Sequence, residues 1–233
     1  MLGDNDQTGS FLAALHRRTG EIVWRIRLPK IDTYATPIVA QVAGRDQLLM
    51  GGCGFLTSYD PSTGRELWKC AGPTTETTAN TVCWSAENVF VSGGYPKPYT
   101  MMAVKADGSG DVTESKLLWK SDKHMQYVPS PLYDAGLLYL VDDWGIASCV
   151  DSGTGKPIWV QRLGGDFSSS PIKCSNRIHA AAEGGVVFVF EAGKKFNLLA
   201  KNDLGDGIMA TPAICGGRIF LRTTHHLYCI GTR

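Results

Sequence analysis

The 233-residue sequence lacks most of the features that announce a location or a chemistry. No apolar run reaches the ~18 residues that a membrane-spanning helix needs. No stretch keeps a 3.6-residue apolar period either, so no long helix is predicted. Lys plus Arg (23) and Asp plus Glu (22) nearly cancel, to a formal net charge of +1. That balance offers no cationic field for nucleic acid or an anionic membrane surface. The seven cysteines are odd in number and include no Cys-x-x-Cys pair, which argues against a disulfide framework and a cysteine-rich zinc site. Phosphate-loop, serine-hydrolase-elbow and zinc-protease motifs are missing too. The first residues, Met1-Leu2-Gly3-Asp4-Asn5-Asp6, are polar and acidic, unlike a secretory signal. A chain made as written is therefore expected in the cytoplasm, where unpaired thiols persist.

What is present is a repeat. Glycine (27) and proline (11) supply many turns, and 43% hydrophobic against 19% charged residues describes a globular chain. Thr19-Gly20-Glu21-Ile22-Val23-Trp24 returns as Thr63-Gly64-Arg65-Glu66-Leu67-Trp68 and as Thr154-Gly155-Lys156-Pro157-Ile158-Trp159. Weaker copies run from Asp107-Gly108 to Leu118-Trp119 and from Gly193 to Leu198-Leu199. Trp24, Trp68, Trp119 and Trp159 are spaced by 44, 51 and 40 residues. A second marker keeps the same phase: Thr36-Pro37, Ser130-Pro131, Ser170-Pro171 and Thr211-Pro212, with Thr81-Val82 in the gap. Two markers with one period identify a repeat architecture.

Each period reads as four short strands. From Ser130 these are Leu132-Tyr133, Leu137 to Val141, Ile146 to Val150 and Ile158 to Val160, separated by Asp- and Gly-rich turns. The fold expected is all-β: a β-propeller of four-stranded antiparallel blades, about five per chain, with boundaries near Thr36, Thr81, Ser130, Ser170 and Thr211. Residues 1–233 form one such domain with incomplete first and last blades. At the N-terminus, Phe11 to Arg18 and Glu21 to Leu28 lack the two inner strands before them, and the last blade lacks its outermost strand. Glu21 to Leu28 could complete the last blade within one chain, or in a second copy. The surplus strand favours a homo-oligomer, a dimer in the simplest case. Gly20, Gly64 and Gly155 are read as positive-φ turn residues, and the four tryptophans as packing anchors between blades, Trp68 and Trp159 above all.

Tyr59-Asp60-Pro61-Ser62-Thr63-Gly64 to Trp68, and Cys149-Val150-Asp151 to Trp159, resemble the pyrroloquinoline-quinone-type (PQQ-like) propeller repeat, Ala-x-Asp-x-x-Thr-Gly-x-x-x-Trp. The resemblance covers essentially the whole chain. It implies a blade-built scaffold of usually seven or eight blades, of which this chain would be a C-terminal portion, and a family that is typically periplasmic or otherwise extracytoplasmic. The family includes quinoprotein dehydrogenases, whose sites hold PQQ with an adjacent-cysteine ring, a stacking Trp and calcium ligands. No Cys-Cys pair exists here, so PQQ is not expected.

One constellation could carry function. The loops leading into the innermost strands bear Asp32 and Tyr34, Glu76 and Asn80, His124 and Gln126, Asp166, and Asp206. In a propeller such loops converge at one end of the central channel. Carboxylates held there could bind a divalent cation, calcium or zinc, or raise one another's pKa. Asp107-Gly108-Ser109-Gly110-Asp111 has the look of a calcium loop but lacks its Gly and Glu at the required places, and is read as a turn. His16, His179 and the pair His225-His226 are read as solvent-facing or capped. The function expected is a binding or scaffold module working through the channel-mouth loops, with a protein or small-molecule ligand. The alternative is a metal-assisted hydrolase of broad ester or phosphoester specificity. A quinoprotein dehydrogenase is the third reading, and the missing cysteine pair counts against it.

Overall fold

Turn chemistry at short intervals cuts the chain into strands too brief to fold alone, and pairing with sequence neighbours is the local solution. The computed structural model describes all residues except 1, 4–8, 31–32, 53, 73–77, 95–99, 124 and 232–233. The chain divides into two compact units, residues 1–127 and 128–233.

In the first unit, sheet I joins β1 (Leu2–Gly3), β2 (Phe11–Leu15) and β3 (Ile22–Arg27). Sheet II follows with β4 (Ile38–Val42), β5 (Arg45–Gly52), β6 (Phe55–Tyr59) and β7 (Glu66–Ala71). Sheet III begins with β8 (Cys83–Trp84), β9 (Asn88–Ser92) and β10 (Met101–Lys105). The chain then lays β11 (Gly110–Asp111) parallel to β7, as a fifth strand of sheet II. After a four-residue helix, α1 (Thr113–Lys116), it returns as β12 (Leu117–Ser121), the outer strand of sheet III. The glycine-rich segment before α1 is therefore strand and turn. Its carboxylates are engaged: Asp107 pairs with Lys105 and Lys116, and Asp111 accepts from Thr113.

The second unit holds sheet IV, of β13 (Leu132–Asp134), β14 (Leu137–Val141), β15 (Ile146–Asp151) and β16 (Pro157–Arg162), and sheet V, of β17 (Ile172–Cys174), β18 (Arg177–Ala181), β19 (Val186–Glu191) and β20 (Leu198–Asp203). Sheet VI has three strands: β21 (Ala213–Cys215), β22 (Arg218–Arg222) and β23 (Leu227–Ile230). Among the described residues, apart from β11 on β7, all pairing is antiparallel, and it joins sequence neighbours except for β10 with β12, which β11 and α1 separate in the chain. These are propeller blades; among the described residues four sheets have four or more strands and two have three.

Both sequence markers have structural counterparts. Thr36, Thr81, Ser130, Ser170 and Thr211 each stand two residues ahead of an innermost strand, at Ile38, Cys83, Leu132, Ile172 and Ala213. The marker proline thus lies just outside the ladder, where its missing N–H removes no strand bond. The hydroxyl of the marker links blades: the Ser130 N–H donates to Ser170 Oγ at 2.9 Å, and the Ser170 N–H donates to Thr211 Oγ1 at 2.9 Å. In the outer turns, Asp60 and Asp151 accept backbone N–H bonds from Thr63 and Thr154, and Gly64 and Gly155 adopt φ of 74° and 69°. His16 occupies the corresponding place in sheet I, where its Nδ1 meets Thr19, and Gly20 takes φ 76°.

The tryptophans hold one register. Trp24, Trp68, Trp119 and Trp159 lie opposite Ala14, Ser58, Ala103 and Cys149, and a β-bulge falls at each of those positions. Trp68 is fully buried in a core shared by sheets II and III, its Nε1 donating to Gln47 Oε1 at 2.7 Å. Trp159 is half-buried between sheets IV and V. Trp24 packs from sheet I onto sheet II, where its Nε1 donates to the Pro61 carbonyl.

Two strand expectations change. A short inner strand, β1, does precede β2. The segment expected to complete the last blade, Glu21 to Leu28, instead forms β3 on β2 within sheet I. Among the described residues β23 pairs only with β22.

Candidate functional site

The incoming loops and the turns joining second to third strands are stitched together by backbone bonds that themselves repeat. The Phe167 N–H donates to the Asp143 carbonyl at 3.0 Å, and one blade later Ile208 donates to the Glu183 carbonyl at 3.1 Å. Glu183 donates to the Asp166 carbonyl at 2.8 Å, and one blade later Thr224 donates to the Gly207 carbonyl at 2.8 Å. Side chains reinforce the frame. Asp143 Oδ1 accepts the Val128 N–H at 3.0 Å, and Ser168 Oγ donates to Glu183 Oε1.

Of the residues singled out from the sequence, Asp32, Glu76 and His124 lie outside the described residues. In the first unit, Tyr34 donates its backbone N–H to the Thr78 carbonyl, and its ring is 64% exposed. Asn80 and Gln126 are buried on adjoining loops. Asn80 Nδ2 donates to the Tyr127 carbonyl at 3.1 Å, and the Gln126 carbonyl accepts Ser92 Oγ at 2.8 Å. Neither faces solvent: the Asn80 side chain ties the two loops, whereas Gln126 takes part through its backbone carbonyl and its buried side-chain amide has no hydrogen-bond partner among the described residues. In the second unit, Asp166 is exposed and takes part through its carbonyl.

Asp206 is the most engaged of the set. Its side chain, only 12% exposed, accepts Thr223 Oγ1 at 2.6 Å, the His225 N–H at 3.0 Å, and the Nδ1 atoms of His225 and His226 at 2.9 and 3.2 Å. A carboxylate only accepts, so both Nδ1 atoms carry their protons. The Thr223 hydroxyl bond, and then the bonds from His225 and His226, outweigh desolvation and hold the Asp206 carboxyl far below the usual range. Sequence reading chose Asp206 but missed its partners, which lie 19 and 20 residues away. The turn also differs. In sheet VI the Thr223 N–H closes on the His226 carbonyl, whereas sheets IV and V close from Asp142 to Ile146 and from Ala182 to Val186, one residue wider. Among the described residues no group of three His, Cys, Asp or Glu side chains is arranged to hold a metal ion.

The quinone sites of the dehydrogenases in this family use an adjacent-cysteine ring and a stacking tryptophan, and two groups of residues here bear on such a site. The described cysteines are all unpaired and lie on strands. Burial pushes the Cys70 and Cys149 thiols up to about 11, and that of Cys83 higher still. Such thiols are inert packing groups. Trp68 is committed to Gln47 and Trp159 to the Gly193 carbonyl and neighbouring rings, so neither offers a free stacking face.

Repeating blades, marker turns and loop stitching define a PQQ-like β-propeller protein. The chain belongs to the family described as outer membrane protein assembly factor BamB, whose model matches residues 5–161 and 108–207. Among solved structures, BamB from Moraxella catarrhalis superposes with a TM-score of 0.68 at 16% identity, over 99% of this chain and 69% of that one. Sqt1 of Saccharomyces cerevisiae does so at 0.70 and 10%, over 96% and 66%. Identities this low speak for the fold. Subunit 1 of the cytochrome c methanol dehydrogenase of Methylorubrum extorquens is 32% identical over 65 residues, 25% of this chain and 10% of that protein. The chain thus spans about a tenth of the relative's length, enough to share blades and no more.

Proposed function

We propose that this propeller is a non-catalytic binding module, a scaffold that recognises polypeptide during outer-membrane protein assembly. The observation that carries the reading is where the polar side chains go. Asp143, Glu183 and Asp206 are engaged in holding loops to one another, and they leave a firm frame that displays Trp144 (46% exposed) and Met209 (63%). Aromatic and methionine side chains on a preorganised frame suit protein recognition. The family description supplies the setting. Neither enzymatic reading gains from the geometry. Asp206 already accepts four hydrogen bonds, and the described cysteines are unpaired.

The test is direct. A β-barrel outer-membrane polypeptide, labelled and diluted from urea, is titrated with the protein while fluorescence anisotropy is followed. Saturable binding is expected, weakened at least tenfold by Trp144→Ala combined with Met209→Ala. No binding, binding indifferent to both substitutions, or PQQ-dependent oxidation of methanol would overturn the reading.

A further inference from the structure

Sheets I to IV each place a tryptophan at the bulge of the outer strand, and sheet V does not. Ala200 stands there, opposite Val189, just as Trp159 stands opposite Cys149 in sheet IV. A second large ring is missing nearby. Sheet IV sets Tyr139 opposite Cys149, where sheet V sets His179 opposite Val189.

The two interfaces differ accordingly. Between sheets IV and V, Trp159 packs with Tyr139, Phe190 and Phe196 at ring separations of 6.3, 5.9 and 5.1 Å, and its Nε1 donates to the Gly193 carbonyl. Between sheets V and VI there is instead a cavity of about 370 Å³, lined by His179, Val189, Asn202, Ile219, Leu221 and Ile230 among others. Ala200 lies on the same face of β20 as Asn202, which lines the cavity. The volume falls in the range of small-molecule pockets, roughly 300–1,000 Å³. The lining is aliphatic apart from two polar groups, His179 and Asn202. Neither side chain has a hydrogen-bond partner among the described residues. Burial, reinforced by Arg177, lowers the His179 pKa and so favours the neutral imidazole, which can donate or accept a hydrogen bond.

We propose that the cavity between sheets V and VI binds a flat aromatic small molecule of about indole size carrying one hydrogen-bonding group. The ligand's ring takes the place that the marker tryptophan fills in the neighbouring interface. Its polar group meets His179 or Asn202. The site is distinct from the loop surface of the proposed function and does not rest on it.

Indole is the probe, followed by calorimetric titration and by the melting temperature of the whole chain. Saturable binding and a rise in melting temperature are expected for the native protein. Ala200→Trp should fill the cavity with the repeat's own side chain, weaken indole binding at least tenfold and raise the melting temperature without ligand. His179→Tyr, which installs the residue found at the matching place in sheet IV, should also weaken binding at least tenfold, and it decides the matter if Ala200→Trp does not fold. Absence of saturable binding to the native protein, or unchanged binding in either folded variant, overturns the proposal.

Discussion

A few single residues hold blades together by shape as much as by bonding. Gly64 takes φ 74°, and a Cβ built there would lie 2.6 Å from Trp24 Cε3. Gly64→Ala therefore meets both a left-handed backbone and the face of an indole. It should cost on the order of 1–3 kcal/mol, read as a lowered midpoint in urea. Trp68 is the internal anchor. Its N–H and the Ser58 hydroxyl share Gln47 Oε1, while Gln47 Nε2 reaches the Val42 and Ala106 carbonyls. Trp68→Ala opens a cavity and unbalances that buried amide, so a loss of about 3–5 kcal/mol is expected by the same measurement. Asp206 gives a pH dependence. Its folded-state pKa is depressed, so its contribution is complete above the unfolded-state value of about 3.9 and is lost as pH falls below it. Asp206→Asn should remove that acid-limb dependence, seen by comparing melting temperatures between about pH 3 and 6. An unchanged acid limb would show that the carboxylate's bonds do not persist in solution.

At the scale of strands and turns, much is legible in the amino-acid pattern alone. The Thr/Ser marker, followed by proline in four of its five copies, located the innermost strands of sheets II to VI to a constant two residues, because proline closes one conformation and turn chemistry closes the rest. The Asp-x-x-Thr-Gly turn was legible for the same reason. The purpose of the marker hydroxyl was not. Its partner is the N–H of the equivalent residue one blade away, about 40 positions along the chain, and no local pattern encodes that. Thr211→Val keeps the shape but removes the acceptor for the Ser170 N–H. It should cost about 0.5–1.5 kcal/mol and speed amide exchange at Ser170 above that at unaltered blades. The site divides along the same line. Loop positions could be picked from the period, yet their roles depended on contacts the period does not carry. Asn80 and Gln126 turned inward, and Asp206 found two histidines across a shortened turn. The exception in the outer strand, Ala200 for Trp, is visible only once the bulge register is known, since the Gly193 copy of the marker drifts in spacing.

At the scale of the whole chain, unpaired strand edges govern association. In sheets IV and V the third strands, β15 and β19, are paired on both sides, whereas among the described residues β23 of sheet VI is paired on one. Its sequence, Leu-Tyr-Cys-Ile, carries no lysine, proline or bulge to discourage a newcomer, and Leu227 is 72% exposed. An edge of that kind is open to a further strand, and we predict that at high concentration a second copy supplies it, pairing β23 with β23 about a two-fold axis. Static light scattering under reducing conditions, needed because Cys215 and Cys229 are exposed, should therefore give a mass that rises above 25.2 kDa with concentration. Leu227→Lys places a charge on the edge and should return the mass to 25.2 kDa while leaving the circular dichroism unchanged. Amide exchange supplies the second reading. Leu227 to Ile230 should exchange faster than β15 and β19 in dilute solution and slow as concentration rises. A mass fixed at 25.2 kDa across the series, with exchange at β23 fast throughout, would mean that a second copy does not cover the edge and would overturn the prediction.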